Sequence, residues 1–459
     1  MTGRRSPRSR AAAAGAPAAP AALPDPVELE IGEVAHGGHC VARHDGRVVF
    51  VRHALPGERV LVRFTEAEPG ARFWRGDAVE VVRADPGRVQ PPCPWARPGA
   101  CGGCDWQHAT LDVQRELKQR VLAEQLTRLG GFDLDAQPWW PVAVAAVPGD
   151  DDGLGWRTRV RFAVDAAGRA GLRGFRSHEV VPIDWCRIAH PQVSALDVTG
   201  RPWPGVAAVD VVGVADGEQR LAVVEPRDGA RAPRRRTDLP PLAAEASIAL
   251  DGGEGPVRLA GRAWVSETVE LPSPAGSVSR AFRVGGAGFW QVHPGAAATL
   301  ARTVLDFAAP RAGERAWDLY SGVGLFSAAL ALAVGGDGGV VAVESGDRAV
   351  RDARRNLHDL PWVEVVGERV ERWVATEQAR PDVVVLDPPR SGAGAAVIDA
   401  VLAARPRVIV LVACDPAALA RDLRRAVEAG WRVERMEAFD LFPMTHHLET
   451  VAQLVPASS

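Results

Sequence analysis

Two residues in the last quarter of this chain could carry covalent chemistry. Cys414 stands in LVACDPAALARD at the end of an apolar run, and Glu449 follows in FPMTHHLETV. A thiol is partly ionised near neutral pH, adds to electron-poor carbon and leaves again readily. Carbon 5 of a uracil is a poor nucleophile until a thiolate adds at carbon 6 and generates an enolate. Carbon 5 can then take a one-carbon group, and a base must remove its remaining proton before the thiol is expelled. Glu449 can be that base. In isolation, a cysteine at the end of an apolar strand is usually buried packing. Its position at a carboxyl end, with the neighbouring motifs, favours the nucleophile.

Those motifs suit a nucleotide-type cofactor. In DLYSGVGLFS, from Asp318, glycines follow an apolar strand, where a ligand can approach the backbone closely. The next strand ends at Glu344, an acid able to accept hydrogen bonds from both ribose hydroxyls. The loop lacks the GxGxxG spacing of dinucleotide sites, because Ser327 occupies the place of the third glycine. Asp387-Pro388-Pro389-Arg390 closes another apolar strand and would put Asp387 at the rim of the sheet. Together these favour S-adenosylmethionine over a nicotinamide cofactor. Amino-group methyltransferases carry an aromatic after the prolines of a related run, where this chain has Arg390. Transfer to an exocyclic amine would also need no thiol.

Cys93, Cys101 and Cys104 form C-x7-C-x2-C, and Cys186 in DWCRIAHP could supply a fourth ligand. Four thiolates suit zinc or an iron–sulfur cluster equally. Cys40 is read as structural. His446 and His447 are read as loop residues or substrate contacts, with no protonation role assigned to them.

These residues need several elements to hold them. At 459 residues the chain exceeds one core. Residues 1–25 form an Ala/Pro/Arg-rich tail expected to be disordered and cytoplasmic, with a transit peptide as the alternative. Residues 26–88 alternate apolar and polar positions between glycine turns at Gly37, Gly38 and Gly46, which suits a small five-stranded barrel of the oligonucleotide-binding type. Residues 89–286 hold the cysteine loop, a helix carrying Leu117, Val121, Leu122, Leu126 and Leu129 at helical spacing, and a strand-rich stretch. There Arg157, Arg159 and Arg161 share one strand face, as a phosphate track or as a solvated surface. The run Arg231–Arg236 reads as a solvated loop. Residues 287–459 alternate buried strands with helices, giving a doubly wound parallel α/β domain. The net charge of −3, with 47% hydrophobic residues, is that of a soluble globular chain and does not announce a nucleic-acid partner by itself. No apolar run reaches membrane-span length. Lys118 is the sole lysine beside a large excess of arginine.

The chain resembles the RNA uracil-5-methyltransferase family, specifically the bacterial 23S ribosomal RNA type, over residues 26–455. The resemblance rests on CGGCDWQHA, GFRSHEVVPIDWC, FWQVHP, DLYSGVGLFS, LDPPRSG, CDPAALARDL and FPMTHHLETV. It implies a class I methyltransferase domain, an N-terminal TRAM domain and a 4Fe-4S cluster on Cys93, Cys101, Cys104 and Cys186. It also implies S-adenosylmethionine contacts from Gln291, Tyr320, Glu344 and Asp387, with Cys414 as nucleophile and Glu449 as base. The expected partner is RNA, ribosomal rather than transfer RNA, methylated by a cytoplasmic monomer. The alternatives are a tRNA uridine-5-methyltransferase and a non-catalytic RNA-binding or assembly protein. Three departures stand out: seven residues, where the family usually has five, separate the first two cluster cysteines; Asp415 replaces an asparagine; Leu325 replaces a polar residue.

Overall fold

The computed structural model describes residues 23–252 and 255–457; residues 1–22 of the expected tail lie outside the described residues. Strands β1 (Val27–Val34), β2 (Cys40–His44), β3 (Arg47–Arg52), β4 (Arg59–Glu66) and β5 (Phe73–Arg83) close into a barrel of order β1-β2-β3-β5-β4. Alternate side chains such as Val49, Val51, Val60, Val62 and Phe64 point inward and are buried, the period-two pattern read in the sequence. The turns at Gly37, Gly38 and Gly46 all have positive φ. Cys40 fills this core and its thiol donates to Ala54 O at 3.3 Å.

Helix α1 (Leu111–Arg128) starts at Thr110, whose side chain caps Val113 N, and is followed by strand β6 (Val144–Ala146). Next comes a seven-stranded sheet of order β13-β12-β11-β10-β7-β8-β9. Its strands are β7 (Arg159–Val164), β8 (Ala170–Arg173), β9 (Val180–Pro182), β10 (Val206–Gly213), β11 (Arg220–Pro226), β12 (Ser247–Asp251) and β13 (Pro256–Ala260), with a one-turn helix α2 (Pro191–Ser194) packed on β10. Two of the three arginines on this face carry acidic partners, while Arg157, just before β7, donates to Arg159 O at 3.1 Å. Arg159 pairs with Glu267, and Arg161 with Asp210 and Glu225. The arginine run near residue 236 is a loop, pinned where Asp238 accepts from the backbone of Arg234 and Arg235.

A long hairpin, β14 (Trp264–Ser273) and β15 (Gly276–Gly285), leads into the C-terminal α/β unit. That unit contains α3 (Ala296–Ala308), β16 (Arg315–Leu319), α4 (Leu325–Val334), β17 (Gly339–Glu344), α5 (Asp347–Asn356), β18 (Val363–Gly367), α6 (Val370–Thr376) and β19 (Val383–Leu386). It continues with α7 (Ala395–Ala404), β20 (Val408–Ala413), α8 (Pro416–Glu428), β21 (Trp431–Asp440) and β22 (Glu449–Pro456). The sheet order is β18-β17-β16-β19-β20-β22-β21-β6, with β22 antiparallel to both neighbours. Alternation splits its core in two. Val383 and Val385 pack with α3 and α4, while Val384 and Leu386 pack with α7, α8 and α1. Helices therefore cover both faces, as the buried strands require.

β6 is an unexpected eighth strand, pairing Val144–Ala146 with Ala438–Asp440. With α1, which packs on α8, it ties the segment just after the cysteine loop to the C-terminal sheet.

Candidate functional site

Cys414 immediately follows β20, and Glu449 begins β22. Ala413 pairs with Thr450 in register, and the Thr450 hydroxyl donates to Ala413 O at 2.9 Å. Antiparallel pairing thus puts the nucleophile candidate and the base candidate side by side at one end of the sheet. Asp387 follows β19 in the adjacent position, its N–H bonded to Leu319 O. These carboxylates are buried with little to neutralise them. Burial first, then Asp387, holds the Glu449 carboxyl well above the usual range, opposed by Arg390. Burial and then Asp318 push Asp387 up to about 7. Burial, followed by Glu449 and Asp387, pushes the Cys414 thiol up to about 12, again against Arg390. A cation entering this cluster would favour ionisation of all three groups.

The glycine loop lies at the ends of β16 and β17. Glu344 caps it: Oε2 accepts from Gly322 N at 3.0 Å and Oε1 from Gly346 N at 2.6 Å. Gly322 has φ +55°, and a Cβ added there would meet nothing within 4 Å, so open space faces the loop. Asp318 is fully buried and pushed up to about 7 by burial; Oδ2 accepts from Ser327, and Oδ1 has no partner among the described residues. Ser327, in the place of the third dinucleotide glycine, therefore anchors the loop. Tyr320 is half-buried with φ +66°, and burial raises its hydroxyl pKa. The structure brings Tyr320, Glu344 and Asp387 to neighbouring strand ends. Gln291 comes from outside the sheet, buried in the loop before α3 beside Trp290, which shares a core with Val323. One residue earlier, Phe289 is 71% exposed. An open glycine loop, acceptors at the strand ends and uncompensated buried carboxylates fit a cationic nucleoside such as S-adenosylmethionine.

Cys93, Cys101, Cys104 and Cys186 line one small cavity beneath β8, and all are free thiols. Backbone and amide N–H groups point at the sulfurs: Gly103 N to Cys101 at 3.4 Å and Gln107 Nε2 to Cys104 at 3.1 Å. Burial pushes Cys101 up to about 11 and holds Cys104 well above the usual thiol range. Among the described residues no three His, Cys, Asp or Glu side chains are drawn close enough to hold a metal ion. By its chemistry the donor set nonetheless suits a thiolate-ligated centre: four sulfurs line one cavity, and two of them accept hydrogen bonds.

Sequence reading missed the seam that joins these parts. Asp105, the residue after Cys104, accepts from His446 N at 3.1 Å and lies 2.7 Å from His446 Nδ1. Asp105 N and Trp106 N both donate to Met444 O. Gln114 of α1 accepts from Met444 N at 2.8 Å. The loop before Glu449 is therefore gripped by the cysteine loop and α1. His446 is a structural partner here, and burial pushes its neighbour His447 down to about 3. On the other side of Cys414, Asp415 caps α8 through Ala418 N and lies 3.0 Å from His36 Nε2 of the barrel. At Gly38 a Cβ would come 2.7 Å from that of His446, so the barrel turn must pass as glycine. Lys118 completes the seam, fully buried, bonded to Asp440 and, at 3.2 Å, to Phe442 O. A lone lysine in an arginine-rich chain was the available signal: this slot takes a compact ammonium and excludes a planar fork.

The TRAM domain model matches residues 26–79, and the model described as tRNA (Uracil-5-)-methyltransferase matches residues 368–455. A Streptomyces avermitilis protein named "Uncharacterized RNA methyltransferase" is 50% identical over 94% of this chain and 98% of its own length. A Streptomyces coelicolor protein with a corresponding name is 49% identical over 94% and 93%. The fold matches a Pyrococcus abyssi tRNA (uracil-54, C5)-methyltransferase solved with S-adenosyl-L-homocysteine. That likeness has a TM-score of 0.66 at 22% identity, covering 94% of this chain and 100% of that one. Full-length identity to RNA methyltransferases, with the two domain matches, places the chain in the RNA uracil-5-methyltransferase family of enzymes.

Proposed function

We propose that the protein methylates carbon 5 of a uridine in structured RNA, with 23S ribosomal RNA as the preferred substrate. The observation that carries the reading is Cys414 beside Glu449 across the β20–β22 pair, with Asp387 adjacent. The Cys414 thiolate adds to carbon 6 of an unstacked uracil and makes carbon 5 nucleophilic. S-adenosylmethionine, when bound, supplies the methyl group. Glu449, as carboxylate, removes the carbon 5 proton, and the thiolate leaves to restore the ring. Arg390, which favours the charged form of both Cys414 and Glu449, helps each act. Glu344, Tyr320, Asp387 and Gln291 hold the methyl donor, and exposed Phe289 offers a ring on which a base can stack.

The division of labour follows the sequence reading: a barrel (26–88) that binds RNA, a central domain (89–286) with the cysteine centre, and a catalytic domain (287–459). Cys93, Cys101, Cys104 and Cys186 would hold a 4Fe-4S cluster, zinc being the alternative. Its role is structural, since the transfer needs no electrons and Asp105 beside Cys104 grips the loop that leads to Glu449. Among the described residues no helix is long and apolar enough to cross a membrane. Six free cysteines agree with a cytoplasmic enzyme, which we take to be a monomer.

The test is mass-spectrometric mapping of 5-methyluridine in rRNA and tRNA from a deletion strain and its complemented parent. Loss of one 23S position, restored by the gene, is expected. Loss at a tRNA position would move the substrate to tRNA, the reading that the tRNA-type family match favours. No loss anywhere would leave the non-catalytic alternative.

A further inference from the structure

A cleft of about 500 Å³ opens between the barrel and the β8–β9 turn, and none of the residues assigned above to catalysis, donor binding or the cysteine centre line it. Its floor is aromatic and cationic. The Arg52 guanidinium lies 3.6 Å above the Phe175 ring, and His39 sits edge-on to both Phe50 and Phe175, at 5.6 and 6.1 Å. Arg52 Nη2 and His39 Nδ1 are buried and have no hydrogen-bond partner among the described residues. The Arg52 side chain is 11% exposed; its nearest acid, Asp105, lies at 3.9 Å. Buried donors without acceptors are costly unless a ligand or water satisfies them.

The lining decides which ligand. Arg52, Arg75 and Arg176 face Glu66, Asp77 and Glu179, so the charges balance and a bare phosphate would gain little. An aromatic ring fits better, because it can stack on the guanidinium–phenyl pair and donate to the carboxylates along the cleft. The cleft is also built rather than incidental. Gly102 N donates to Arg173 O at 3.0 Å, and a Cβ on Gly102 would lie 2.4 Å from Phe175 N. The cysteine loop therefore sets the wall that carries Phe175. At the other wall, the turn that places His39 in the cleft also places His36 on Asp415, next to Cys414. One turn of the barrel therefore touches both the cleft and the residue that follows Cys414.

We propose that this cleft is a second nucleotide site, which takes one unstacked base of the bound RNA other than the target uridine and lays it on the Arg52–Phe175 stack. The inference rests on RNA being the substrate. It makes RNA recognition depend on two extruded bases held on either side of the His36–His39 turn.

The test uses full-length protein and fluorescence anisotropy with two labelled probes: a mixed-sequence single-stranded RNA 15-mer and an abasic sugar–phosphate strand of equal length. Phe175→Leu, which keeps apolar contact but loses the ring, and Arg52→Gln should each weaken RNA binding by about tenfold, the value of one stacked base. Neither should change S-adenosylmethionine binding, and Phe175→Leu should leave abasic-strand binding intact. RNA affinity within about twofold of wild type, or equal losses on both strands, overturns the proposal. Ultraviolet cross-linking of the wild-type complex avoids any folding defect: RNA must attach within residues 170–182, and attachment confined elsewhere also overturns it. Failure of the functional reading looks different, as wild-type protein that transfers no methyl group to any RNA.

Discussion

Acids in two regions of this molecule behave oppositely. Along the seam each has a cationic or imidazole partner: Asp105 with His446, Asp415 with His36, Asp440 with Lys118. Burial is the largest single influence on Asp105 and Asp415 and raises both, but the hydrogen bond and charge of the histidine, with backbone N–H donors, together hold each below the usual carboxylate range. In the pocket, Asp318 and Glu449 are buried and Asp387 partly so; Asp387 repels Glu449, Asp318 repels Asp387, and all three are raised. A protein that pairs its seam acids so completely is not short of cations. Among the described residues none of the pocket acids has a salt-bridge partner, as the proposed site for a cationic donor and a moving proton requires.

The comparison can be broken at either end. Cys414→Ala should abolish methylation while S-adenosylmethionine binding, measured by calorimetry, survives; a variant with normal turnover would remove the covalent route. On the seam, Lys118→Met leaves buried Asp440 with only Arg115, 3.9 Å away, and urea unfolding should show a loss of about 3 kcal/mol. Asp105→Ala should cost about 1–3 kcal/mol in the same assay. It should also lower kcat with donor affinity unchanged, because the loop bearing Glu449 loses its grip; an unchanged kcat would make the contact purely structural. The pocket also predicts a pH dependence. Native Asp387 keeps its proton to about 7, against 3.8 unfolded, so its contribution is present below 3.8 and lost as pH rises through 7. Buried histidines such as His447 have the opposite sign. The stability of ligand-free wild type relative to Asp387→Asn should therefore fall between pH 4 and 7, read from paired thermal melts. A flat difference would mean that Asp387 is not buried as an acid.

The architecture was legible where patterns are local. Alternation in residues 26–88 and the apolar runs ending at Glu344, Asp387 and Cys414 encode their own strands, so barrel and parallel sheet followed. The seam was not legible, since His36 and Asp415, or Asp105 and His446, lie hundreds of residues apart and no local period connects them. β6 escaped for a related reason: Val144-Ala145-Ala146 is too short to show alternation, and its strand character comes from the β21 edge. Arg159 and Arg161 show the limit of face arguments. The pattern put them on one face, but only the fold revealed Glu267, Asp210 and Glu225 opposite them.

The central claim is that Glu449 releases an RNA that Cys414 has bound covalently. Incubating Glu449→Gln with S-adenosylmethionine and methyl-deficient total RNA, then digesting and sequencing by mass spectrometry, tests it most directly. A methylated uridine nucleotide attached to the Cys414 peptide is expected, and absent when Cys414→Ala is added. Lost activity without any adduct, or an adduct on another residue, would contradict the account.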